Sequence, residues 1–482
     1  MLFSSLIFLF LFLPLSLLGY YLIDRSYRNY WLLFVSLVFF AWGGVSFTLI
    51  LLASIVINYI AGQKIQKHLN SKSGYWWLFA GVSINVIILG VFKYANFIIN
   101  NINSLFSQFS IPLIPDTNII LPIGISFYTF HSLSYLVDIY RKKTTAQKNI
   151  FDLSLYIAMF SQLIAGPIIR YADVWQQLRG RTHSWAKFSS GIERFVIGLG
   201  KKVLLANTFA RVADDLFDGN VADLNAPTAW LGILCYTFQI YCDFAGYSDM
   251  AIGLGRMFGF EFKENFNFPY IARSVKEFWR RWHISLSTFF RDYVYIPLGG
   301  SRVKVSRIYL NLLIVFFLTG FWHGASWSFV VWGLFHGLFM VIERLGFEKL
   351  LGKMRKPLAN LYTLLVVMFA WVLFRADTLD HALTYWAGMF DFVRYDAQTA
   401  LFMNYMNIEL LAAFVIAIAG SFGLFEYGRK VIEKIVTAEN MKARVFANIF
   451  HVASAVFYAA VLIACSLYLI SGSYNPFIYY RF

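Results

Sequence analysis

The chain has 482 residues, 59% of them hydrophobic and only 14% charged, with a net charge of +15. Soluble domains carry about 25% charged residues, so the composition excludes an ordinary soluble globular protein. The positive balance does not point to nucleic acid either. Lys and Arg fall in short runs between apolar segments, the positive-inside pattern of a polytopic membrane protein in a lipid bilayer.

The N-terminus, MLFSSLIFLFLFLPLSLLGYYLIDR, is apolar without a basic start, and Arg25 and Arg28 come after it. It is expected to be an uncleaved first span with its N-terminus outside. A spanning helix needs about 20 apolar residues. Candidate spans are 3–23, 29–42, 45–62, 75–98, 119–140, 188–209, 226–256, 306–321, 324–343, 357–375, 407–426 and 446–471. The linkers Lys64–Lys72, Arg141–Lys148, Arg170–Lys187, Lys263–Arg281, Arg302–Arg307, Arg344–Lys356 and Arg429–Arg444 are basic and are placed in the cytoplasm. Linkers 99–118 and 212–225 contain no Lys or Arg and are placed outside. The two sets alternate if both termini are outside. Residues 150–169 and 282–300 each lie between basic linkers, so both are expected to be re-entrant or interfacial elements lining an internal cavity. The reading is an all-α, polytopic membrane protein of about twelve spans in a single domain, 1–482, without the internal repeat of many transporters.

Ionisable residues within a membrane are costly and mark candidate function. His323, in FLTGFWHGASWSFVVWGLFHG, sits at the junction of two apolar helices, flanked by Gly320 and Gly324. Its imidazole suits proton acceptance near neutral pH; the alternative is a packing histidine. The stretch KEFWRRWHISLSTFFRDYVYIPLGGSR carries His283 with Arg291 and Asp292, and Arg280 and Arg281 at its cytoplasmic mouth could bind phosphates. A snorkelling basic anchor would explain those two arginines but not His283. Forty residues separate the histidines, so only tertiary packing could join them. Asp243 and Asp249 lie in one long apolar stretch, where they could bind a cation or line the interior; structural pairing with nearby arginines is the expected reading. His131 and His336 are read as hydrogen-bonded core residues. The cysteines Cys235, Cys242 and Cys465 have no metal-type spacing, no metal site is expected, and no cofactor motif occurs.

FWRRWHISLSTFFRDYVYIPLGG together with FWHGASWSFVVWGLFHG resembles the membrane-bound O-acyltransferase (MBOAT) family, and most of all its bacterial branch with the membrane subunit of alginate O-acetyltransferase. LPIGISFYTFHSLSYLVDIYR (121–141), FSQLIAGPIIRYADV (160–174) and WVLFRADTLDHALTYWAGMF (371–390) match the same branch, so the motif-bearing core covers about 120–390. The resemblance implies a ring of helices around a central tunnel. It makes His323 the catalytic histidine and His283 the second functional position. Trp279, Arg280, Arg281, Trp282, Ser285, Arg291, Asp292 and Trp322, in the same motifs, are the expected donor-binding residues. It further implies a bacterial inner-membrane enzyme with no bound cofactor, acetyl-CoA or an acyl carrier as donor, and an extracytoplasmic polysaccharide acceptor. An SGNH-type transferase or esterase partner would receive or share the acetyl group.

The residues fit this chemistry. A thioester donor needs a base for the incoming hydroxyl and protection from water, which His323 and the surrounding aromatic wall would supply. His283 would orient the thioester or steady its oxyanion, with direct transfer in one tunnel rather than an acyl-enzyme. The alternatives are a D-alanyl-, lipid- or protein-modifying member of the family, or a polysaccharide transporter, which paired broken helices and internal symmetry would favour.

Overall fold

The computed structural model describes residues 1–115, 117, 119–164, 166–393, 402–436, 441–472 and 474–478. Parts of three expected segments therefore lie outside the described residues: 116 and 118 in linker 99–118, 165 in segment 150–169, and 437–440 in linker Arg429–Arg444. Among the described residues there is no strand. A helix stands at each of the twelve expected places. In the first half these are α1 (Phe8–Leu22), α2 (Arg28–Ala41), α3 (Val45–Lys67), α4 (Lys72–Gln108), α5 (Ile125–Tyr140), and α6 (Ile150–Ala158) at the first expected re-entrant segment. Then come α7 (Trp185–Gly200), a π-helical turn Lys201–Ala206, α8 (Asn207–Asp218) and α9 (Ala226–Met257). The short α10 (Val275–Arg281) and α11 (Ile284–Phe290) precede α12 (Val305–His323), α13 (Trp327–Ile342), α14 (Lys356–Arg375), α15 (Leu379–Gly388), α16 (Ile408–Ser421), α17 (Leu424–Val436) and α18 (Met441–Ile470).

Among the described residues, six helices are long and apolar enough to cross a bilayer, α13 among them through its continuation to Lys353, or seven if Ile408–Ser421 and Leu424–Ile432, bent by 63°, form one broken span. The 14 residues of α2 and the 16 of α5 fall short of the ~20 a perpendicular crossing needs. Neither 150–169 nor 282–300 is one continuous helix. The first stops at Met159, whose ψ of 119° interrupts the helix before Phe160–Leu163. The second begins at His283, which has a left-handed φ of 42°, and passes into a π-helical turn, Arg291–Tyr295.

The chain divides into two units. One comprises Met1–Ile192, Ala251–Lys263 and Trp322–Ser326; the other Glu193–Met250, Glu264–Phe321 and Trp327–Phe482. In the first, α3, α4 and α5 pack together. Gly62 and Gly81 admit the side chains of Tyr135 and Leu136 at distances no Cβ would permit. Asn58 and Asn85 exchange side-chain hydrogen bonds of 2.8 and 3.1 Å between α3 and α4, satisfying both amides in an apolar setting. The second unit holds a continuous aromatic and aliphatic core from α8, α9, α10, α13, α14 and α15. Within it α12 and α13 meet backbone to backbone. A Cβ on Gly320 would lie 2.2 Å from the Phe329 carbonyl oxygen, and one on Gly333 2.2 Å from that of Phe316. Small residues at such crossings let helices approach closely in lipid, where no hydrophobic force drives them together.

Candidate active site

The loop bearing His283 is fixed before it reaches the histidine. Ser274 caps α10 through the Glu277 N–H at 3.0 Å. Glu343, buried at the end of α13, accepts the N–H groups of Val275 and Lys276 at 2.6 and 3.1 Å. These are among the donors a helix start leaves unsatisfied. Arg281 closes the loop: its carbonyl accepts from Asn267 N–H at 2.9 Å, and its Nη1 donates back to the Asn267 carbonyl at 3.0 Å. His283 then turns through its positive φ, a conformation that costs a non-glycine residue about 1–3 kcal/mol and clusters at functional sites. Its ring is fully buried, 4.6 Å edge-on from Phe244, and Nδ1 lies 3.2 Å from Asn265 Oδ1. Ser285 donates to the same oxygen from its backbone N–H at 3.1 Å and its hydroxyl at 2.8 Å.

The other expected residues of this stretch divide into buried and exposed. Trp279 and Trp282 are buried in the aromatic core, Trp279 5.3 Å from Phe316 and Trp282 5.0 Å from Trp371. Arg280 is exposed, whereas Arg281 is half-buried and held by Glu277 at 2.8 Å. Arg291 pairs with Asp292 at 2.7 Å. Of the two arginines expected to receive phosphates, the geometry therefore leaves Arg280 the more available.

His323 belongs to the other unit. It is the last residue of α12, 6% exposed. Its neighbour Trp322 stacks on Phe130 at 5.2 Å and meets the edge of Phe127 at 6.0 Å. Lys93, in the middle of α4, reaches the end of this helix. Its Nζ donates to the Trp322 carbonyl and, at 3.2 Å, to that of His323, and lies 5.6 Å from the Trp322 ring centre. A lysine at a helix C-terminus satisfies carbonyls that have no partner within the helix.

Asp243 and Asp249 are paired, as their position in an apolar stretch requires. Asp243 meets Lys202 at 2.9 Å and also accepts the Ile478 N–H at 3.0 Å. Asp249 binds Arg194 at 2.6 Å and Lys201 at 2.7 Å. His131 is buried 5.5 Å from the Tyr156 ring. His336 departs from expectation. It is a core residue, but neither ring nitrogen has a hydrogen-bond partner among the described residues; instead Trp279 at 5.1 Å and Trp332 at 5.2 Å face it edge to face. Aromatic quadrupoles thus take the place of the expected hydrogen bond.

Sequence reasoning missed Asn265, Glu343 and Lys93. Lys93 carried a signal, since it is a cation within an apolar span. Asn265 carried none, being one neutral amide in a polar linker.

These features define a helical membrane protein in which two of the buried histidines, His283 and His323, are each held by contacts outside their own helices. The membrane-bound O-acyltransferase family model matches residues 20–376, and the chain belongs to that family. It is a membrane acyltransferase. It is 42% identical to a probable alginate O-acetylase AlgI of Azotobacter vinelandii, with the whole of both chains covered. It is 38% identical to a peptidoglycan O-acetyltransferase of Helicobacter pylori, over 81% of this chain and 80% of that one. A teichoic acid D-alanyltransferase of Bacillus subtilis is 29% identical over 54% of this chain and 69% of its own.

Proposed function

We propose that the chain moves acetyl groups from a cytoplasmic thioester, acetyl-CoA or an acyl carrier, to an extracytoplasmic polysaccharide, directly or through an SGNH-type partner transferase. What carries this reading is His323, buried in the FWHG motif of a chain similar along its full length to alginate O-acetylases. In the proposed reaction His323 takes the proton of the acceptor hydroxyl as its oxygen bonds to the thioester carbonyl carbon. The carbon–sulfur bond breaks, and the departing thiolate receives that proton. His283 orients the substrates. The buried aromatic side chains limit access of water, which would otherwise hydrolyse the thioester.

The setting proposed is the bacterial cytoplasmic membrane, with both termini outside and Arg280 at the cytoplasmic mouth. The test is transfer of radiolabelled acetyl from acetyl-CoA to polysaccharide in membranes carrying the wild-type chain. Labelled product that depends on the chain supports the reading. Transport of unmodified polysaccharide without acetyl transfer overturns it. Impermeant labelling of cysteines introduced at the termini of intact cells tests the orientation.

A further inference from the structure

The hydrogen atoms around His283 can be assigned from groups that can act in only one way. The Ser285 backbone N–H can only donate, and it lies 3.1 Å from Asn265 Oδ1, so that atom is the amide oxygen. An amide oxygen only accepts, so the Ser285 hydroxyl 2.8 Å away directs its hydrogen there too. His283 Nδ1 is 3.2 Å from the same oxygen and 3.4 Å from Ser285 Oγ, whose hydrogen is already placed. Nδ1 therefore carries a hydrogen. A neutral imidazole has only one, which leaves the lone pair on Nε2. The amide cannot easily flip, because its Nδ2 donates to Ser248 Oγ at 3.1 Å, while the Asn265 carbonyl accepts the Ile284 N–H at 2.9 Å. Asn265 and Ser248 are each 1% exposed, so water does not compete for these bonds.

We infer that Asn265 is a positioning residue that holds His283 as the Nδ1–H tautomer, so that Nε2 meets the substrate as a hydrogen-bond acceptor. The inference rests on the proposed role of His283 in acyl transfer. It reverses the polarity expected of that residue. In its neutral form His283 takes a hydrogen bond from an O–H or N–H of the substrate and gives none to the thioester oxygen. The negative charge that grows on that oxygen is met by another donor. The left-handed backbone at His283 belongs to the same device, because it places Nδ1, Ser285 N–H and Ser285 Oγ around one oxygen.

The test uses the purified full-length chain with acetyl-CoA and a polysaccharide acceptor and reads acceptor-dependent thiol release, with His283→Ala, Asn265→Leu and Asn265→Asp. Loss of ring control should lower kcat by about tenfold to a hundredfold in Asn265→Leu, with the acetyl-CoA KM little changed. Asn265→Asp keeps oxygens for both Ser285 N–H and Nδ1–H and should recover most of the activity. A purely structural role predicts the opposite order, because an apolar side chain is tolerated in a buried site better than an added charge. Wild-type kcat in Asn265→Leu, or less activity in Asp than in Leu, overturns the inference. If Asn265→Leu does not yield folded protein by elution profile and thermal midpoint, Asn265→Ala takes its place against Asp under the same criteria. Wild-type turnover in His283→Ala overturns instead the proposed role of His283, so the two failures are distinguishable.

Discussion

The two histidines are held in opposite ways. In the first unit, His323 ends a long apolar helix, and Lys93 grips the backbone carbonyls of that end. In the second, His283 begins a short helix in a strained loop, and Asn265 grips the ring itself. The contrast matches the work proposed for each. A general base must gain and lose a proton within one turnover, so the protein positions its main chain. An orienting group must present the same atom throughout, so the protein fixes its tautomer. Intramembrane polar groups are costly in both units, and at these two histidines the supporting side chain comes from a segment distant in sequence.

The comparison breaks first at His323. His323→Ala should lower acetyl transfer by about 10²–10⁴-fold, the usual contribution of a general base, with insertion and elution unchanged. Near-normal polysaccharide acetylation in that variant would remove one side of the contrast. Lys93→Met should come next, with kcat down by about tenfold to a hundredfold through misplacement of the helix end and a lowered thermal midpoint. Lys93→Arg, which keeps donors for the carbonyls, should restore part of both. If Met and Arg behave alike, backbone capping is not what Lys93 contributes. Smaller still is Arg280→Ala, expected to raise the acetyl-CoA KM several-fold at nearly constant kcat, as when ground-state binding is lost. Arg281→Ala should leave KM nearly unchanged, because Glu277 already holds that guanidinium, and should lower stability by about 1–2 kcal/mol through loss of the i,i+4 pair and of the Nη1 bond to the Asn267 carbonyl. Equal KM effects from the two arginines would contradict the distinction drawn from their exposure.

The helices and the two histidines were legible in the sequence because a membrane demands long apolar runs and makes every polar interruption conspicuous. His323, His283, Asp243 and Asp249 stood out on that ground, and the aspartates proved to be ion-paired. The number of crossing helices was less legible. Segments such as α2 and α5 are apolar enough to suggest a span but short, and hydropathy alone does not separate a short helix within a protein from one that crosses lipid. The supports of the site were hidden for another reason. Asn265 lies 18 residues before His283, and Lys93 is 230 residues before His323, so their roles exist only once the chain is folded. His336 was misread because hydropathy does not reveal whether a buried ring meets hydrogen-bonding groups or aromatic faces.

The backbone contact between Gly320 and Gly333 bears on how this enzyme can diverge. Even alanine, the smallest replacement, would put a methyl group 2.2 Å from a carbonyl oxygen at either position. No side chain can move aside to relieve that clash, since the obstacle is main chain. Sequence drift in this hairpin is therefore confined to outward positions such as Leu310, Phe317, Leu334 and Leu338, all substantially exposed. A saturation library across residues 305–342 should show Gly320 and Gly333 closed to every replacement for stability, His323 closed for activity, and the outward apolar positions permissive, whichever polysaccharide a descendant of this chain came to modify.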